Sequence, residues 1–202
     1  MIKAVLFDFG GVLTEGGKKG FIGETLAGLY GVVPSEIDIG DLHYMMRRGK
    51  GTEEGFFEEL NKRYGGSVTK EEFLKQAHTL TMPAKEVYVL AETLRAHGIK
   101  TGILSNVFAM NAEQLRREGR YEGFGPIILS CEEGCAKPEE KFYEAAIARV
   151  GVRPEEILFI DDQSKCLPPA QKLGMHTVLA ESPSQIVADT KAFIRKHNSV
   201  DL

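Results

Sequence analysis

The chain has 202 residues, with 43% hydrophobic and 27% charged side chains and a formal net charge of −4. This length suits one core domain plus an insertion, and it buries a core without disulfides. Scattered basic residues and a net negative charge argue against a nucleic-acid partner. The apolar run before Asp8 is too short for a secretory segment, and no stretch reaches the length of a membrane span, so a cytoplasmic protein is expected. Cys131, Cys135 and Cys166 lack the further ligands of a zinc site and read as reduced thiols.

In chain order, Ala4-Val5-Leu6-Phe7 is a continuous apolar run that meets Asp8 and then Gly10-Gly11, the pattern of a buried parallel strand ending in a tight turn. From residue 15 to 82 the sequence offers only helical stretches, at Phe21 to Tyr30, Ser35 to Arg48, Thr52 to Tyr64 and Thr69 to Thr79. Gly16, Gly17 and Gly20 would form one hinge of this insertion and Met82-Pro83 the other. Ala84 to His97 repeats Val87, Leu90, Ala91 and Leu94 at helical spacing before Gly98, a C-terminal cap. Further apolar runs follow at Thr101 to Leu104, Ile127 to Leu129, Ile157 to Ile160 and Thr177 to Ala180. Helices are expected from Pro138 to Val150, with Pro138 at the first position, from Pro168 to Leu173, and from Ser184 to His197.

This rhythm predicts an α/β fold: a doubly wound, five-stranded parallel Rossmann-like sheet with an all-helical cap inserted after the first strand. The expected division is a core of 1–14 and 83–202 and a cap of 15–82.

Ligands of such sheets sit beyond the carboxyl ends of the strands. Asp8, Ser105-Asn106, Lys137 and Asp161-Asp162 all fall at or just past those ends. Singly, each has an ordinary explanation as a turn former, a cap or a solvated lysine. Together they put three carboxylates in one space, where they would repel one another. A divalent cation resolves this, and an all-oxygen donor set selects Mg2+ over zinc. Lys137 offsets further negative charge, and Ser105 with the backbone near Asn106 can donate to phosphate oxygens. A carboxylate facing phosphorus held by metal and lysine implies nucleophilic phosphoryl transfer to Asp8.

Phe7-Asp8-Phe9-Gly10-Gly11-Val12-Leu13-Thr14, Ile103-Leu104-Ser105-Asn106, Ala136-Lys137-Pro138 and Leu158-Phe159-Ile160-Asp161-Asp162 resemble, in order, the four motifs of the haloacid dehalogenase-like hydrolase superfamily. Asp161-Asp162-Gln163 and the stretch from Ala170 to Met175 are most similar to the branch of the soluble epoxide hydrolase N-terminal phosphatase domain and bacterial sugar-phosphate phosphatases. The resemblance implies an aspartyl-phosphate on Asp8 and Mg2+ held by Asp8, the Gly10 carbonyl and Asp162, with Asp161 in an outer position. It implies phosphate contacts from Ser105, Asn106 and Lys137, and a small phosphorylated metabolite, a sugar phosphate among the candidates, as substrate.

Gly10 stands where phosphatases of this superfamily carry a second aspartate that protonates the leaving group. Glu15 or a substrate hydroxyl is a candidate replacement. The alternatives are a weakly active or non-catalytic phosphometabolite-binding protein, or changed chemistry of a dehalogenase or phosphonatase kind, the latter calling on Lys18, Lys19 or Lys50. Arg47, Arg48 and Lys50, in the turn between the second and third cap helices, are candidates to contact an anionic substrate, and Tyr44, Met45 and Met46 read as cap core. Cys166 reads as a packing substitution.

Overall fold

The computed structural model describes residues 1–15 and 21–202. The expected hinge glycines Gly16, Gly17 and Gly20, and the candidate lysines Lys18 and Lys19, lie outside the described residues. The chain forms β1 (Ala4–Phe7) and β2 (Thr14–Glu15), then α1 (Phe21–Tyr30), α2 (Gly40–Met46), α3 (Glu53–Tyr64) and α4 (Lys70–Thr79). It continues through β3 (Met82–Pro83), α5 (Lys85–Ala96), β4 (Lys100–Ser105), α6 (Ala109–Arg117), β5 (Ile127–Leu129), α7 (Ser130–Glu133) and α8 (Glu140–Val150). β6 (Ile157–Asp161), α9 (Leu167–Lys172), β7 (His176–Leu179) and α10 (Pro183–Asn198) complete it.

Five parallel strands lie in the order β5-β4-β1-β6-β7. β1 is buried at every position because neighbours cover both its faces, which is why it reads as a continuous apolar run. Val5 and Phe7 pack with Leu158 and Ile160 on one face, beneath Val87 and Leu90 of α5 and Ile186 and Ile194 of α10. Ala4 and Leu6 pack with Ile157 and Phe159 on the other, against Phe142 and Ala146 of α8 and Ala170 of α9. From β1 the chain winds first towards β4 and β5 and then returns to lay β6 on the other side. The topological switch therefore falls between β1 and β6, where a ligand crevice opens.

A third apolar cluster lies among α1–α4, around Leu26, Phe56, Leu60 and Phe73, and includes Phe108 and Met110 at the start of α6. The insertion is thus packed onto the sheet-bearing part by shared apolar side chains. The ends of its helices follow local chemistry. The Thr52 hydroxyl accepts from Gly55 N at 3.1 Å, and Thr69 with Glu72 forms a reciprocal cap on α4.

Several elements depart from the sequence reading. β2 and β3 form a two-residue antiparallel ribbon, Thr14 opposite Pro83 and Glu15 opposite Met82, which ties together the two points where the chain enters and leaves the helical segment. Such short strands carry no periodicity to read. The helix expected over Ser35 to Arg48 is a single tight turn at Pro34–Glu36 followed by α2 alone. Asp38 interrupts it, because its N–H donates to the Tyr64 hydroxyl and its carbonyl accepts from Arg63 at 2.6 Å, tying the backbone to α3. Pro138 is not a first helical residue: α8 begins at Glu140, and Pro138 lies in the turn that presents Lys137. Within α2 only Met46 is core, whereas Tyr44 and Met45 are 53% and 40% exposed. α6 escapes the sequence reading because no side chain caps it and its buried residues, Met110 and Ala112, are two apart instead of three or four. The three cysteines are free. No helix among the described residues is long and apolar enough to cross a membrane.

Candidate active site

Asp8 follows β1 directly. Its N–H donates to the Ile160 carbonyl at 2.8 Å, so the residue still sits in sheet register, and its Oδ1 accepts from Phe9 N at 2.7 Å. The chain then turns sharply. Gly10 has φ −70° and ψ 126°, open to any residue, whereas Gly11 takes φ 76° in the left-handed region. A Cβ on Gly11 would also lie 2.6 Å from Asp162 Oδ2, so the turn needs glycine on two counts. Thr14 closes it, with its Oγ1 accepting from Gly11 N at 3.2 Å.

Lys137 reaches this point from the loop after α7. Its Nζ lies 2.9 Å from Asp8 Oδ1 and 2.5 Å from Asp161 Oδ2, and it is 3% exposed. Asp161, fully buried, also accepts from Gln163 N at 2.7 Å. Asp8, Asp161 and Asp162 each offer a carboxylate oxygen, and these oxygens lie within 4.8 Å of one another. Strand order accounts for this convergence: β1 and β6 are neighbours, so Asp8 and Asp161 leave adjacent strands at one level.

Electrostatics at this spot are unusual for carboxylates. Burial pushes the Asp8 pKa up to about 6, against the pull of Lys137 and with the help of Asp161 and Asp162. Burial alone would lower the Lys137 pKa, but Asp161 and Asp8 override it and hold the ammonium above its ordinary value. Three carboxylates crowded into one place repel one another, and a bound cation would relieve that repulsion. The donors are all oxygen, as Mg2+ prefers.

Asn106 lines the cavity and also holds Lys137. Its Nδ2 donates to the Lys137 carbonyl at 2.9 Å, and its Oδ1 accepts from Lys137 N at 2.8 Å. This two-point clamp holds the lysine backbone, so the carboxamide positions Lys137. Ser105, buried at the end of β4, lines the adjoining cavity. Ser130 is a residue the sequence reading missed. Its Oγ accepts from Val107 N at 3.0 Å and so anchors the loop that carries Asn106. A serine one residue past a strand gives no sequence signal that separates it from a turn former.

A cavity of about 550 Å³ opens from this cluster towards α1, α2, α4 and α6. Gly10, Ser105, Asn106, Gln163 and Arg47 line it. Arg47 is drawn into the field of Asp8 and Asp161, although burial lowers its pKa overall. Lys165, not singled out from sequence, lines the same cavity. Arg48 serves another purpose: it pairs with Glu139 and stacks on Tyr44, 3.6 Å above the ring. Beside it, Gly49 has φ 62°, and a Cβ there would fall 2.2 Å from the Cys131 carbonyl, so this turn is pressed against the core. Lys50 is exposed and is not among the described residues that line the cavity. Cys166 is fully buried, and burial holds its thiol up to about 11, so packing accounts for it.

The family model described as haloacid dehalogenase-like hydrolase matches residues 2–174. Sesquiterpene phosphatase astK of Aspergillus oryzae is 29% identical over 86% of this chain and 87% of its own length. Pig bifunctional epoxide hydrolase 2 is 30% identical over 54% of this chain, in keeping with the branch that the motifs indicated. The chain spans only 20% of that enzyme's length, and 19% of mouse acyl-CoA dehydrogenase family member 10, to which it is 26% identical over 95% of this chain. Among solved structures, a family enzyme from Bacteroides thetaiotaomicron in complex with magnesium and inorganic phosphate shares the fold at a TM-score of 0.76, with 22% identity and coverage of 90% of this chain and 96% of that one. Match length, motif order and fold agree: the chain belongs to the haloacid dehalogenase-like hydrolase family.

Proposed function

We propose that the protein is a Mg2+-dependent phosphatase acting on a small phosphate monoester, with Asp8 as nucleophile. The observation that carries this reading is the contact of Lys137 with both Asp8 and Asp161 beside a third carboxylate on Asp162. Asp8, Asp162 and the Gly10 carbonyl would hold Mg2+, and Asp161, already bonded to Lys137 and Gln163 N, would act from the outer position. Bound there, the cation would neutralise charge on the transferring phosphoryl group and keep Asp8 ionised. The relatives named as phosphatases support this choice over a dehalogenase.

Asp8 attacks phosphorus, the bond to the leaving-group oxygen breaks, and water then cleaves the aspartyl-phosphate. Lys137 steadies the carboxylate and the incoming phosphate, and Ser105 with the Asn106 N–H donates to phosphate oxygens. Arg47 meets the substrate from the helical segment 15–82, which in this reading is a cap over a core of 1–14 and 83–202. Gly10 offers no proton to the leaving group, so the reading calls for a leaving group that departs with little help or supplies its own proton.

Phosphate release from a panel of monophosphates, with and without Mg2+, tests this for the wild type and Asp8→Asn. Turnover that needs both Mg2+ and Asp8 is expected. Turnover that survives in Asp8→Asn would overturn the assignment.

A further inference from the structure

The cavity beside the carboxylate cluster is lined by both polar and apolar residues. Ser105, Asn106, Arg47 and Lys165 gather where a phosphate would sit. Beyond them the wall is built from Ile22, Ile37, Ile39 and Leu74 of the helical segment and Val107 and Leu115 of the core. All six are half-buried, so each keeps apolar surface turned to open space. Burying such surface under a ligand is favourable in proportion to its area. A volume of about 550 Å³ also falls within the range that encloses ligands well beyond a bare phosphate.

Several polar groups on the wall are already engaged, while Glu24 also lines the cavity and is exposed. His78 Nδ1 lies 3.1 Å from Glu118 Oε1, which also accepts from Gln114 Nε2 at 2.7 Å. The Thr81 hydroxyl donates to the Ala77 carbonyl at 3.1 Å. His43 packs its ring against Phe108, 5.5 Å between centroids, and burial beside Arg47 and Lys165 keeps it neutral, with a pKa pushed down to about 4. Asn111 Oδ1 is buried and has no hydrogen-bond partner among the described residues, leaving one acceptor for one donor on a ligand. A sugar hydroxyl set against the apolar residues would lose water without gaining a partner.

Resting on the phosphatase reading for the phosphate end, we propose that this cavity selects monophosphates whose leaving group is an apolar body several carbons long, with Ile39, Leu74 and Val107 setting the preference. This departs from a sugar phosphate as the natural substrate class. An apolar body would cover the surface that these six residues turn to the cavity.

Straight-chain alkylphosphonates of two to ten carbons bind without being cleaved, so their affinity for the Mg2+-loaded protein tests the cavity apart from the chemistry. Calorimetry is expected to show Kd falling about fourfold per added methylene until the cavity is full, the fold-change of burying one CH2. Ile39→Asn should flatten that dependence, and Ile39→Phe should end it at a shorter chain. A Kd independent of chain length, or a hexose phosphonate bound more tightly than hexylphosphonate, would overturn the proposal. Chain-length-dependent binding together with no hydrolysis of any monophosphate would uphold the cavity assignment and sink the phosphatase reading instead.

Discussion

Gly11→Ala tests how the turn after Asp8 and the proposed Mg2+ ligand Asp162 depend on each other. Gly11 has φ 76°, and an alanine held there costs about 1–2 kcal/mol from backbone sterics alone. Its Cβ would also stand 2.6 Å from Asp162 Oδ2 and 2.8 Å from Cγ. Relief to the 3.4 Å of an ordinary contact moves the carboxylate by about 0.8 Å. Mg2+ demands near-ideal octahedral bonds of roughly 2.0–2.1 Å, so a ligand displaced that far no longer serves it well. Changes that disturb the orientation of metal ligands cost about 10–100-fold in affinity. The expected result is a Mg2+ Kd raised by that factor in calorimetric titration. In chelator, thermal unfolding should show a Tm lowered by about 2–8 °C, the equivalent of 1–2 kcal/mol for a domain of this size. A variant that loses stability while binding Mg2+ as the wild type does would refute the reasoning, because Asp162 would then have no part in holding the cation.

Three further outcomes are expected. Gly10→Asp should raise turnover of unactivated phosphomonoesters, by up to the roughly 100- to 10,000-fold that general acid–base help provides, because the backbone at Gly10 suits any residue; a folded, Mg2+-binding variant with no gain would remove the missing acid from the explanation. Asn106→Ala deletes both hydrogen bonds that fix the Lys137 backbone, about 1–3 kcal/mol of stability, and should lower kcat more than it raises KM; unchanged kinetics would show that Lys137 needs no such clamp. The raised Asp8 pKa means that the metal-free fold favours the protonated acid. The stability Asp8 contributes is present below pH 3.8 and is lost as pH rises through about 6, and Asp8→Asn should abolish that loss in chelator. Since Mg2+ takes the ionised form, its affinity should climb from pH 4 to about 6 by up to tenfold per unit and then level off. A pH-independent Kd across that window would contradict the assignment of Asp8 as a ligand.

Much of the fold is legible in the primary structure, because the strands of a doubly wound sheet are buried on both faces and so appear as unbroken apolar runs. Ala4–Phe7 and Ile127–Leu129 appear in the sequence with their observed ends, and Asp8, Ser105 and Asp161 stand out as polar residues placed where those runs stop. Sequence also marks Thr52 and Thr69 as helix starts, since a cap is a local hydrogen bond. The break at Asp38 is not local: it depends on Tyr64 and Arg63, some 25 residues away, and the β2–β3 ribbon joins segments separated by the whole helical insertion.

The amino-acid sequence by itself determines the strands and most of the helices, the residue types gathered at the strand ends, and hence the class of chemistry. These follow from periodicity, caps and the repulsion among carboxylates, all of which act over a few residues or follow from composition. Only the tertiary structure decides that Asn106 clamps Lys137, that Arg48 pairs with Glu139 while Arg47 lines the cavity, and that Ile22, Ile37, Ile39, Leu74, Val107 and Leu115 line it too. Each of these depends on which distant segments pack together. Side-chain hydrogen bonds and cavities are properties of that packing, with no counterpart in the linear order of residues.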